Sequence, residues 1–252
     1  MNKPTILGGV QLPNVEAGVP EKLARFVEKL KAVFAERLLG VLLFGSAARG
    51  AYVPKRSNIN LLVALERVGP RELAEYRKLR PEVEKPPLAA PLFLDPTYVR
   101  YSTDTFPLEF LDIRSFHVLL SGQNILQGIT IDPKHLRLEL EREIKGKLLL
   151  ARQAYLESDG DEARLLSILS RSFNSLRVIF FGIVHLRENR IVRDVRELVE
   201  RVSEHFGLNP AVLLEIGRAR AGEIKVSKTE MEKLFFDYLE ELARMAEKVD
   251  KI

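Results

Sequence analysis

The sequence predicts an α+β protein: a small mixed β-sheet domain with flanking helices over residues 1–120, followed by an all-α helical bundle over 121–252. Three observations carry this. Two short apolar runs, 39–44 and 59–65, have the pattern of strands buried on both faces. After Ile113 the apolar residues recur at intervals of three and four over long stretches, the spacing of helices that bury one side. With 252 residues, 46% of them hydrophobic, the chain has enough apolar material for one large or two modest cores.

Residues 1–18 carry Gly, Pro and Asn without a sustained period, and an irregular lead-in or a short edge element is expected there. Pro20 opens a helix in which Leu23, Phe26, Val27, Leu30, Val33 and Phe34 share one face, leaving Glu21, Lys22, Arg25 and Lys29 to solvent. The strand at 39–44 stops at Gly45. A short helix over 47–50 and a return loop over 51–57 are expected before the second strand. Pro70 starts a helix to Arg80, and the segment 81–87, beginning and ending in proline, breaks it before a third strand at 90–94. Asp95-Pro96 supplies the cap and first-turn proline of another short helix. Residues 108–113 are expected to form a fourth strand, with none after Ile113.

In the bundle, Leu136, Leu140, Ile144, Leu148, Ala151 and Tyr155 mark a first helix. The second, 163–188, is apolar around much of its circumference between Ser172 and Leu186 and belongs at the centre. A third runs from Val192 to Phe206 and is stopped by Gly207. Asn209-Pro210 opens a fourth, and Ser227 with Glu230 has the capping-box spacing of the last.

Lys and Arg exceed Asp and Glu by 39 to 35, but the signs are interleaved, so nucleic acid is not indicated as a partner. Absence of Cys excludes disulfides and thiolate metal sites. The amino terminus has no basic segment leading into an apolar run, and 178–184 is too short to cross a bilayer. A soluble protein with no membrane partner is expected, cytoplasmic by default.

The chemistry-bearing stretch is Gly45-Ser46-Ala47-Ala48-Arg49-Gly50, followed by Ser57-Asn58-Ile59-Asn60 at the second strand. A glycine directly after a buried strand lets the backbone turn tightly and approach an anion, and serine adds a hydroxyl donor. Arg49, Lys55 and Arg56 are candidates for phosphate contact. Equally, an arginine there can serve a structural contact, and a loop lysine can simply be solvated. Residues 58 and 60, two apart, share a strand face.

This arrangement resembles the polymerase beta-like nucleotidyltransferase superfamily, whose pattern is Gly-Ser, an Ala-Arg-Gly continuation, then Ser-Asp-x-Asp at the next strand. Gly45, Ser46, Ala48, Arg49, Gly50 and Ser57 match, and Asn58 and Asn60 stand where the family has paired aspartates. The resemblance covers about 23–120. It implies a nucleotidyltransferase-like sheet domain, with a nucleoside triphosphate held by Gly45, Ser46, Arg49 and Lys55. It also implies a third carboxylate from a later strand, for which Glu109 is the closest match. In such enzymes the carboxylates hold divalent ions that bridge the triphosphate and activate an acceptor hydroxyl.

Asparagine offers only a neutral amide oxygen there. With Asn58, Asn60 and Glu109 at the catalytic positions, the resemblance implies an impaired or inactive transferase that retains nucleotide or partner binding, with magnesium weak or absent. One alternative is an active magnesium-dependent transferase, moving a nucleoside monophosphate to a hydroxyl of a small molecule, RNA or protein with another carboxylate source. Another is an interaction scaffold that takes a protein partner or a second copy. Asp112, three residues from Glu109 on the expected strand, would face the other way. Asp95 and Asp104 fit a helix cap and a loop, and His117, expected in a helix, has no histidine partner at ligand spacing.

Overall fold

The computed structural model describes residues 5–7, 10–12, 15–16, 18–55, 57–83 and 87–252. The chain divides into two compact units, 1–103 with 113–130, and 104–112 with 131–252.

In the first unit, β1 (Thr5–Leu7) and β2 (Val10–Leu12) form a separate antiparallel pair. The main sheet has four strands in the order β5-β4-β3-β6. Its centre is β3 (Leu38–Phe44), antiparallel to β4 (Asn60–Leu65) on one side and to β6 (His117–Gly122) on the other. Strand β5 (Leu92–Leu94) runs parallel to β4. Helix α1 (Val19–Phe34) covers one face, packing Leu23, Phe26, Leu30 and Phe34 against Val41, Leu43, Leu61 and Val63. Leu42, Leu62 and Ala64, on the alternate positions, are also fully buried, which is why these strands read as unbroken apolar runs. Helix α2 (Pro70–Val83) joins that layer through Tyr76, edge-on to Phe93 at 4.9 Å. Arg37 ties the turn after α1 to Glu72 and Glu75 of α2 at 3.1 and 2.8 Å.

Several sequence-based expectations are corrected here. Helix α2 continues through Pro81 to Val83 instead of ending at Arg80; only two helical residues follow the proline, so its cost falls on the last turn. Residues 47–50 form hydrogen-bonded turns instead of a helix. The segment 108–113 is not a strand. It lies in α4 (Pro107–Ser115), after α3 (Pro96–Ser102). Leu108, Phe110, Leu111 and Ile113 are all buried, so the short helix is apolar nearly all round, and periodicity cannot distinguish it from a strand. Pro107 in its first turn was the discriminating signal, because proline suits a helix start and not a central strand.

A strand does follow Ile113, namely β6, and His117 begins it. The His117 ring caps the preceding helix: Nδ1 lies 3.0 Å from the carbonyls of Ile113 and Arg114, and Nε2 lies 3.0 Å from Nδ2 of Asn124. That network suits a neutral ring donating from Nδ1 and accepting at Nε2.

The second unit holds α5 (Pro133–Ser158), α6 (Glu162–Glu188), α7 (Val195–Phe206), α8 (Pro210–Ala221) and α9 (Lys228–Lys248). Asp132, Asp161, Asp194, Asn209 and Ser227 each accept from a first-turn amide, and Ser227 with Glu230 completes a capping box. Helix α6 is long and apolar enough to cross a membrane by length and composition. Here it packs against α5, α7, α8 and α9, burying Leu169, Leu176, Phe180, Phe181 and Ile183 among others.

Glu139 on α5 is buried, and its Oε2 accepts from the Leu108 amide at 2.7 Å. Burial raises its pKa to about 7, helped by the neighbouring Glu109 carboxylate and opposed by the Leu108 amide. A carboxyl with a raised folded-state pKa contributes stability that is fully present below the unfolded value of 4.5 and is lost as pH rises through about 7. The thermal midpoint is therefore expected to fall between about pH 5 and pH 8. Glu139→Gln, which keeps an oxygen for the Leu108 amide, should flatten that decline in calorimetric scans.

Candidate functional site

Strand β3 leaves the sheet at Gly45, whose φ is +75°, in the left-handed region that glycine enters without strain. A Cβ at this position would stand 2.8 Å from Nδ2 of Asn60, so a larger residue would push the Asn60 amide aside as well as strain the turn. Phe44 and Asn60 are paired across β3 and β4, which brings Gly45, Ser46, Asn58 and Asn60 to one edge of the sheet. Within the turn, Arg49 N–H donates to the Gly45 carbonyl at 3.1 Å, Gly50 to Ala47 at 3.3 Å and Ala51 to Ser46 at 2.8 Å. Ser46, Ala47 and Ala48 lie ahead of Arg49, the first of these three donors.

The Arg49 guanidinium lies 4.1 Å from the centroid of the buried Phe116 ring, a cation–π contact that fixes the turn against the start of β6. The loop beyond is held by Glu16. Its Oε2 accepts from the Tyr52 hydroxyl at 2.5 Å, and its Oε1 accepts from the Lys55 amide at 3.1 Å. Burial, then the bond to Glu16, pushes the Tyr52 phenol well up, while the same bond pulls the Glu16 carboxyl down. Lys55 is exposed with φ at 63°, and Arg56 lies outside the described residues. Ser57 uses its hydroxyl structurally, accepting from Val53 N–H at 3.0 Å.

Asn58, just before β4, is exposed and Asn60, its first residue, is half-buried, with Ile59 between them fully buried, the alternation expected of extended chain. Ile59 N–H donates to Pro87 O at 2.8 Å, and Ala89 N–H to Ile59 O at 3.1 Å, zipping β4 to the segment that leads into β5. Ile59 pairs with Leu88, so Ala89 falls on the asparagine face. Ala89 brings no carboxylate to that face. Among the described residues, no group of three His, Asp or Glu is placed to hold a metal ion.

Glu109 is on α4, in the helical unit, and not on a strand of the sheet; the acid beside it is Glu139. On a helix, the spacing of three to the buried Asp112 no longer implies opposite faces. Asp95 caps α3 through Tyr98 N–H at 2.9 Å, as its sequence position suggests, and Asp104 accepts from the Thr105 hydroxyl at 3.1 Å in the turn before α4. Sequence reasoning missed Ala89 and Glu16. An alanine has no chemistry to draw the eye, and the tie from Glu16 to Tyr52 spans 36 positions with no local pattern.

No protein-family model matches the sequence, and no curated protein matches it. Among solved structures, spectinomycin adenyltransferase AAD(9) from Enterococcus faecialis, solved with ATP and spectinomycin, is similar with a TM-score of 0.55. The two are 13% identical, and the match covers 89% of this chain and 98% of that one. At that identity the likeness speaks for the fold: the chain has a nucleotidyltransferase-like α+β fold, a small mixed sheet with flanking helices and a C-terminal helical region.

Proposed function

We propose that this nucleotidyltransferase-fold protein binds a nucleoside triphosphate at the Gly45-Ser46 turn and does not catalyse magnesium-dependent nucleotidyl transfer. The observation that carries the proposal is the neutrality of the site edge: Asn58 just before β4 and Asn60 at its first position, with Ala89 in the segment that leads into β5. Magnesium prefers anionic oxygen ligands, and transfer needs the ion both to neutralise charge on the phosphates and to activate the acceptor. Without those ligands the largest electrostatic contribution to the reaction is missing.

Binding requires less. The leading amides of the turn and the Ser46 hydroxyl suit phosphate oxygens, and Lys55 adds a positive charge on the adjoining loop. A neutral edge also removes the repulsion that a carboxylate pair would impose on a metal-free triphosphate. That AAD(9) was solved with ATP supports a nucleotide as ligand. Incubated with magnesium, labelled nucleoside triphosphates and small-molecule, RNA and protein acceptors, the protein should incorporate no label above a heat-inactivated control. Incorporation abolished by Glu109→Ala would instead establish an active transferase that uses that residue as its acid.

A further inference from the structure

The helical unit contains a groove that nucleotide binding at Gly45-Ser46 leaves unused. Between α5 and α6, two contiguous hollows of ≈ 440 and ≈ 490 Å³ share Ala154, Glu157, Ile168 and Arg171. That size suits a small ligand. At one end the groove has a polar floor: Lys147 Nζ donates to Ser175 Oγ at 2.5 Å, and Ser175 Oγ donates to the Ser172 carbonyl at 2.9 Å. The Ser172 hydroxyl in turn bonds the phenol of Tyr238, which is fully buried on α9. Leu150, 67% exposed, and half-buried Ile168 make the wall apolar.

The charge of this groove is unbalanced. Lys147, Arg171 and Arg164 line it against the single carboxylate of Glu157. Among the described residues none of these three cations forms an ion pair, although Arg137, Arg142 and Lys145 on the same α5 do. Glu143 acts on Lys147 only at longer range, and burial holds the Lys147 ammonium below the usual lysine value. A partly buried ammonium with a hydroxyl partner, a guanidinium nearby and no counter-ion is poised to take one.

We propose that this groove binds a small organic anion, an apolar body bearing one phosphate, sulfonate or carboxylate group, with Lys147 and Arg171 at the anionic head and Leu150 and Ile168 against the body. The test is a fluorescence titration of the full chain with 1-naphthyl phosphate, with neutral 1-naphthalenemethanol as the comparison. Saturable binding of the phosphate is expected, and Arg171→Gln and Lys147→Gln should each weaken it about tenfold or more, the loss of one charge-assisted contact. Arg152→Gln, on α5 but outside the lining, should leave it unchanged. Arg171 is exposed, so its variant should fold normally, which far-UV dichroism and the thermal midpoint will show. Equal affinity for the neutral analogue, unchanged affinity in both folded lining variants, or no saturation up to about 5 mM would each overturn the proposal.

Discussion

Converting Asn58 and Asn60 together to aspartate is expected to create a magnesium site at the start of β4, raising affinity for the ion on the order of a hundredfold or more, since each charge-assisted contact contributes roughly 1.5–3 kcal/mol. The two positions flank the buried Ile59 at extended-chain spacing, and aspartate has the shape of asparagine, so the change is one of charge. In the absence of metal the new pair should be a liability, because two carboxylates two residues apart on a strand repel and one resists ionising. The thermal midpoint of the double variant should therefore lie below that of the native chain in chelator and rise steeply with added magnesium, whereas the native midpoint should respond little. Transfer activity in the double variant would show that the rest of the edge is competent. Two further substitutions in that background locate the third acid: if Ala89 marks its place, Ala89→Glu adds activity, and if Glu109 supplies it, Glu109→Ala removes what the aspartates restored.

The largest effect on stability is expected from Gly40→Ala. Gly40 pairs with Gly122 where β3 meets β6, and a Cβ on it would stand 2.1 Å from the Gln123 carbonyl oxygen. The obstacle is backbone, not a side-chain end that can swing aside. Relief would require parting β3 from the chain at Gln123, whose amide donates to Leu39 O at 2.7 Å. A cost of roughly 3 kcal/mol or more is expected, at the upper end for one added methyl, because the central strand must shift with it. Urea unfolding followed by far-UV dichroism should show a lower midpoint, and because the chain has two units the loss can emerge as a separate early transition. Nucleotide binding should weaken in step, since β3 carries Gly45.

Much of this architecture is legible in the sequence because its local signals agree. The caps Asp95, Asn209 and Ser227 with their neighbouring Pro96, Pro210 and Glu230 locate three helix starts correctly. The apolar runs around Leu42 and Leu62 name the two central strands, which the structure pairs with each other. The largest failure lies between Phe106 and Gly122, where a short helix buried nearly all round and a strand beside it have the same apolar composition. Tertiary surroundings, not periodicity, decide which is which. That misreading puts Glu109 on the wrong kind of element, and Ala89 is brought beside the asparagines only by the bridge between Ile59 and Leu88, which no local pattern announces.

The most direct measurement of the central claim is an ATP titration of the native chain, by calorimetry and by competition against a fluorescent nucleotide, in magnesium and again in chelator. The neutral edge formed by Asn58, Asn60 and Ala89 predicts binding in both conditions with affinities within about tenfold of each other, because amide and hydroxyl donors hold the phosphates and no metal bridge is needed. No binding in either assay up to about 5 mM nucleotide, or tight binding that appears only with magnesium, would contradict it.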